Sequence, residues 1–175
     1  MTLLFTPRLL LWPLNRSILE ARLQSADFSL ECSLPAGQLT VHFGTDWPGD
    51  PLSAFPYLFT QLNAQQEIPG TFVAVHRQTA QAVGMLGSKG RPRQGELEIG
   101  YGFSPVVWNQ GYATEALSAL LPHLLDWPGV HTLTAQTAPG NGASERVLEK
   151  SGFDRTGSTV TSAGKLSGWV YRAPA

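Results

Sequence analysis

The segment GELEIGYGFSPVVWNQGYATEALSALLPHLL, residues 95–125, limits the fold more than any other stretch of the chain. Leu97, Ile99, Tyr101 and Phe103 alternate with Glu96, Glu98, Gly100 and Gly102, the period of two that marks a β-strand with one face buried. Beyond Gly111 the period changes. Ala113, Ala116, Leu117, Leu120, Leu121 and Leu124 recur at helical spacing, and Pro122 predicts a kink or an early end. A strand that passes through Ser104-Pro105 and a glycine turn into a helix belongs to an α/β architecture.

The rest of the chain supplies further elements. Leu9 to Trp12 reads as a first strand closed by Pro13, whose missing N–H ends the ladder. Asn15 is placed to cap a helix carrying Ile18, Leu19, Ala21, Leu23 and Ala26. The stretch from Pro35 to Pro51 is dense in breakers and reads as loop with LTVHF as a short strand, and Asp50 with Pro51 reads as the start of a second helix lined by Leu58, Phe59 and Leu62. TFVAVHR and QAVGMLGSK form an antiparallel hairpin, VHTLTAQT a strand, Gly142 to Ser151 a helix stopped at Gly152, and the tail a last hairpin around Gly164. The length of 175 residues fits one domain.

Composition excludes several functions. A net charge of -1 with no basic stripe gives no footprint for nucleic acid. The apolar N-terminal segment is interrupted by Pro7, Arg8 and Pro13, so neither a signal peptide nor a membrane span is read, and a cytoplasmic address is expected. The four histidines, His42, His76, His123 and His131, show no ligand spacing, so no metal is expected. Cys32 is the one cysteine and reads as a small buried hydrophobe. Trp47, flanked by Asp46 and Asp50, reads either as a packed corner or as part of a substrate loop.

The turn before the second half of the 95–125 segment has its own chemistry. Backbone N–H groups from about Asn109 to Thr114 have no acceptor inside the helix, and the helix dipole adds positive charge there, so the turn suits an anion such as pyrophosphate. Gly111 would let phosphate oxygens approach the backbone, Ala113 would leave the next turn open, and the Thr114 hydroxyl would add a donor. Tight packing explains a glycine here equally well.

The string GYGFSPVVWNQGYATEAL resembles the acetyl-CoA motif of the GNAT superfamily of N-acetyltransferases, in the form used by the ribosomal-protein-alanine (RimJ/RimL-like) branch, G-Y, P, then W-G-K-G-Y-A-T-E-A. Downstream, APGNGASERVLEKSGF resembles the family's N-x-x-S-x-x-V-L-E-K-x-G-F, and TPRLLLWPL resembles the branch's opening T-x-R-L-x-L-R-P. The resemblance implies a mixed, mostly antiparallel twisted sheet of about six to seven strands, helices on both faces, and a V-shaped central opening. It implies transfer of an acetyl group from acetyl-CoA to a primary amine, a protein N-terminus or a small molecule, by direct attack in a ternary complex. It also extends to homodimers, which members of the branch often form.

The same resemblance assigns residues. Phe103 would pair its backbone with pantetheine, Trp108, Asn109, Gln110, Gly111, Tyr112, Ala113 and Thr114 would form the pyrophosphate loop, and Asn141 would hydrogen-bond the pantetheine amides. Asn141 also reads as a plain helix cap. Glu98 stands where several members carry a glutamate base, and with Glu96 it equally reads as a solvated strand face or an attractant for a cationic amine. Ser144 would lie near the thioester and bond the departing sulfur, or is simply an exposed serine in a first helical turn.

Two departures stand out. Leu148 occupies the position where many members carry a tyrosine acid, and Trp12 stands where the branch has arginine. Leu148 supports the alternative of a catalytically silent acyl-CoA-binding sensor or scaffold. A nucleotide-phosphate protein is disfavoured, because no G-x-x-x-x-G-K-[ST] string is present.

Overall fold

The structure is a computed structural model that describes residues 2–49, 53–62, 66–161 and 164–172. They divide into two compact units, Met1–Gly87 with Tyr101–Tyr112, and Ser88–Gly100 with Ala113–Ala175.

The first unit opens with β1 (Leu4–Phe5) and β2 (Leu9–Asn15). Pro13 does not end β2. The β1 partners stop at Leu11, so along that edge Pro13 owes no donor, and the strand continues to Asn15 with an irregularity after Pro13. Asn15 then caps α1 (Arg16–Gln24), its side-chain oxygen accepting from the Ile18 N–H at 3.1 Å. Ile18 and Leu19 are buried, whereas Leu23, assigned to the same stripe by spacing, is exposed.

A hairpin leads into the breaker-rich region, with β3 (Phe28–Leu34) and β4 (Gly37–Phe43) antiparallel and Leu34 opposite Gly37. Strand β3 was not anticipated. Its alternation of Phe28, Leu30, Cys32 and Leu34 with serine and glutamate is legible, and Pro35 turns the chain between two strands. A short α2 (Phe55–Phe59) follows, with Leu58 buried and Pro56 in its first turn. The expected start of that helix at Asp50-Pro51 lies outside the described residues.

Strands β5 (Glu67–His76) and β6 (Gln81–Ser88) form the expected hairpin. Within the unit the order is β1-β2-β5-β6, with β4 joined to β6 by a parallel bridge at His42 and Gln81. The apolar core includes Trp12, Ile18, Phe43, Trp47, Phe55 and Val73. Trp47 is buried, lies edge-on to Phe43 at 4.8 Å, and donates its indole N–H to the Gly84 carbonyl at 3.0 Å. Trp12 lies 6.1 Å from Phe43 in the same core. Both tryptophans are therefore packing residues, and of the two readings of Trp47 the packed corner is the one that this burial fits.

The second unit is built around a parallel pair. β7 (Glu96–Phe103), α3 (Tyr112–Leu125) and β8 (Thr132–Thr137) follow in chain order, and parallel strands need such a crossover. Pro122 does not shorten α3. The helix runs on to Leu125, with the Asp126 N–H donating to the Pro122 carbonyl at 3.1 Å. Helix α4 (Gly142–Lys150) and the hairpin β9 (Asp154–Thr161) and β10 (Gly164–Arg172) complete the unit, in the order β7-β8-β10-β9. Buried Leu97, Ile99, Leu117, Leu120, Leu133 and Leu148 supply its apolar interior.

Ten strands thus stand among the described residues, more than the six to seven expected. The strands not read from the sequence are the two-residue β1 and β3, whereas LTVHF lies within β4 as expected. Pairing is mixed and mostly antiparallel, as expected. No helix among the described residues is long and apolar enough to cross a membrane.

Candidate active site

In the first unit, the end of β7 leads through a 3-10 turn (Pro105–Val107) to the turn before α3. Phe103 is held from both sides of its peptide chain. The Ser104 N–H donates to the Val83 carbonyl at 2.9 Å, and the Trp108 indole N–H donates to the Phe103 carbonyl at 2.7 Å. Its ring lies against Gly84, where a Cβ would come within 2.5 Å of the Phe103 Cδ1, so Gly84 has no room for a side chain. Trp108 is itself 60% exposed, so its hydrogen bond fixes the direction of a ring that the core does not hold.

Asn109 (φ 61°) and Gly111 (φ 80°) are both left-handed. Such turns direct successive N–H groups into a concavity suited to anions. Gly111 is required by its backbone: a Cβ there would meet only Arg8 Nη2, at 3.6 Å, an ordinary contact. Room for an approaching ligand is therefore not needed to explain this glycine. Arg8 crosses to the turn from the β1–β2 link, donating from Nη1 to the Gln110 carbonyl at 2.9 Å and stacking 4.1 Å from the centre of the Tyr112 ring. The structure brings Phe103 and Trp108 together by one bond, and gathers Gln110, Gly111 and Tyr112 around Arg8.

In the second unit, the β7–β8 register runs from Glu96 opposite Thr132 to Ile99 opposite Ala135 and stops, although β7 continues to Phe103 and β8 to Thr137. Glu98 is half-buried, and its Oε1 lies 3.0 Å from Lys89 Nζ. The aliphatic part of Lys89 lies over Gly100, where a Cβ would stand 2.6 Å from the lysine Cε. Glu96, on the same strand face, is exposed.

Asn141 caps α4, its Oδ1 accepting from the Ser144 N–H at 3.1 Å. Those two predicted residues are thus joined directly. Ala113 and Thr114 lie in the first turn of α3, both half-buried, and the Thr114 carbonyl accepts from the Ser118 hydroxyl at 2.9 Å. Leu148 is fully buried on α4. Arg8 and Lys89 are the residues that sequence reasoning missed. Arg8 belongs to the TPRL string, but nothing local shows a partner 102 residues away. Lys89 follows β6, and its approach to Glu98 depends on the pairing of that strand end with β7, where the Lys89 N–H donates to the Glu98 carbonyl at 2.7 Å.

Comparisons with known proteins agree with this architecture. Residues 22–154 match the family model of the acetyltransferase (GNAT) domain. YjdG of Bacillus subtilis, an uncharacterized N-acetyltransferase, is 28% identical over 157 residues, covering 87% of this chain and 90% of the relative. YnaD of the same organism, also an uncharacterized N-acetyltransferase, is 40% identical over 60 residues, and the match covers 34% of this chain and only 35% of that protein's length. Among solved structures, a GNAT-family acetyltransferase from Bacillus anthracis superposes with a TM-score of 0.65 at 21% identity, covering 98% of both chains. RimL, a ribosomal-protein alpha-N-acetyltransferase in complex with coenzyme A, gives a TM-score of 0.69 at 14% identity, again over 98% of both chains. At such identities the superpositions speak for the fold alone. With a mixed α/β sheet, a strand entering a left-handed turn at a helix start, and a family model that spans most of its length, the chain belongs to the GNAT acetyltransferase family.

Proposed function

We propose that this protein is an acetyl-CoA-dependent N-acetyltransferase of the RimJ/RimL-like branch, working as one catalytic domain on a primary amine in the cytoplasm. The observation that carries the reading is the turn at Asn109–Tyr112. Two left-handed residues precede a 14-residue helix, and an arginine is bonded to the turn. This turn fits a diphosphate, because its N–H groups and the helix dipole both favour negative charge. The family model crosses both units, which supports treating them as a single domain.

In this reading the amides of Gln110 to Thr114 hold the diphosphate of acetyl-CoA, whose thioester supplies the acyl group. Trp108 and Asn109 shape the loop. Phe103 pairs through its backbone with the pantetheine arm, and the carbonyl it offers already carries the Trp108 indole, so only its second lone pair remains. The Asn141 amide N–H groups serve the same arm while its oxygen caps α4. Fixing donor and acceptor together is the main catalytic contribution, converting a bimolecular attack into a step within one complex.

The attacking amine must shed a proton as its nitrogen bonds the acyl carbon and the carbon–sulfur bond breaks. Glu98 accepts that proton. Lys89, at 3.0 Å, competes with a cationic substrate for the same carboxylate, so the amine gains access by displacing that ion pair. The leaving thiolate takes a hydrogen bond from Ser144. Leu148 offers no proton, and its burial favours one second reading, a silent acyl-CoA sensor.

The test is calorimetric titration with acetyl-CoA, CoA and ATP, on the native protein and on Ala113→Glu, which sets a carboxylate in the first turn without straining a left-handed residue. The expected result is micromolar acetyl-CoA binding, about -8 kcal/mol, lost in the variant. Binding of ATP alone, or of nothing, ends the acyl-CoA reading. Tight acetyl-CoA binding with no turnover across an amine panel, and none altered by Glu98→Gln, selects the sensor.

A further inference from the structure

Arg8 sits in a link whose backbone is fixed on either side. The buried Thr6 hydroxyl oxygen accepts from the Leu9 N–H at 2.8 Å, and the Arg8 carbonyl accepts from the Arg77 N–H at 2.9 Å. From this base the guanidinium bonds the Gln110 carbonyl and lies over Tyr112, and the same ring is met edge-on by His76 at 5.6 Å. Arginine suits the task because a planar fork serves a carbonyl and an aromatic face at once, which a lysine ammonium does not.

The peptide plane gives this contact its consequence. The Gln110 carbonyl and the Gly111 N–H belong to one planar trans unit and point in opposite directions. A carbonyl held by Arg8 therefore sends the Gly111 N–H away from Arg8. The plane turns about the Gln110 ψ and the Gly111 φ, and at Gly111, which stands at φ 80°, no side chain restrains the second of these. A cation on the carbonyl also polarises the unit and strengthens its N–H as a donor.

We infer that Arg8 is a positioning residue for the diphosphate of the acyl donor, acting through the Gln110–Gly111 peptide. The inference rests on the acyl-CoA reading above and adds to it a residue outside the glycine turn. Arg8 selects for donors that carry a diphosphate and is indifferent to the thioester end. Its place in the chain, 102 residues before its carbonyl partner, makes the N-terminal segment a functional part of the anion site.

The experiment titrates the full-length protein, Arg8→Ala and Arg8→Lys with acetyl-CoA and with acetyl-pantetheine, a thioester that lacks the diphosphate, and records thermal midpoints alongside. Arg8→Ala is expected to weaken acetyl-CoA by at least about tenfold while leaving acetyl-pantetheine within about twofold, and Arg8→Lys to fall between native protein and alanine for acetyl-CoA only. Equal losses for both ligands, or no loss for acetyl-CoA, overturn the inference. Should Arg8→Ala melt below the assay temperature, Arg8→Lys alone decides, by whether its loss is confined to acetyl-CoA. If the native protein binds acetyl-CoA no tighter than acetyl-pantetheine, the diphosphate site itself is absent, and the functional reading falls together with the inference.

Discussion

Single residues show most clearly what position in the chain can and cannot reveal. Leu148 is legible as a departure from the family pattern, and the structure adds that it is fully buried. Replacing it by tyrosine should therefore not install an acid. Forcing a larger, polar side chain into that interior is expected to cost about 1–3 kcal/mol, read as a lowered thermal midpoint, with no gain in turnover. Enhanced turnover at unchanged stability would show that a phenol at 148 finds its way to the substrate. Cys32 was legible as a buried hydrophobe, and burial pushes its thiol up to about 11. An unfolded cysteine ionises near 8.5, so the folded chain keeps its proton over a range where the unfolded chain loses it. Stability from this group is complete below about pH 8.5 and declines as pH rises towards 11. Urea unfolding across that range should show a steeper alkaline loss for the native protein than for Cys32→Ala, and parallel curves would refute it. Arg8 marks the opposite limit: a residue whose partner is distant in sequence looks like any exposed arginine.

Elements were legible where a single period runs unbroken. The strands β5, β6 and β7 and the helices α3 and α4 follow from alternation or helical spacing, and Asn15 and Asn141 were readable as caps because a cap is set by its next three residues. Breakers misled in both directions. Pro13 sits inside β2, Pro122 sits inside α3, and Pro35 turns a hairpin instead of ending order. The cap at α4 separates two roles of Asn141. Removing the oxygen in Asn141→Ala should destabilise the protein by about 0.5–2 kcal/mol, whereas Asn141→Asp keeps an acceptor for the Ser144 N–H and should unfold like the native chain. If the amide N–H groups also serve the pantetheine arm, Asn141→Asp will weaken acetyl-CoA at unchanged stability. An aspartate variant as unstable as the alanine one would show that the cap bond is not what holds this helix start.

At the scale of the whole molecule, strand order was not readable from periodicity, which identifies strands without saying which lie side by side. It followed from resemblance, and the unanticipated β1 and β3 lie where that resemblance was faint or gave only a first strand. The division into two units was not legible at all, because it falls inside β7, between Gly100 and Tyr101, in the middle of one alternating pattern. Neither unit is a continuous piece of chain. A fragment of residues 1–87 lacks the segment that bonds Ser104 to Val83 and Gln110 to Arg8, and it should show no cooperative thermal transition by circular dichroism. A sharp transition would mean that Tyr101–Tyr112 is dispensable to its own unit. The interleaving also sets an order of events on the ribosome. Synthesis delivers most of the first unit, then Ser88–Gly100, and only afterwards Tyr101–Tyr112. Until residue 104 has left the exit tunnel the Val83 carbonyl waits for its partner, so the nascent chain must remain unfinished at β6 while it makes part of the second unit. A translational pause in that interval would expose an incomplete sheet edge to chaperones and proteases, and the tempo of decoding there becomes a determinant of yield.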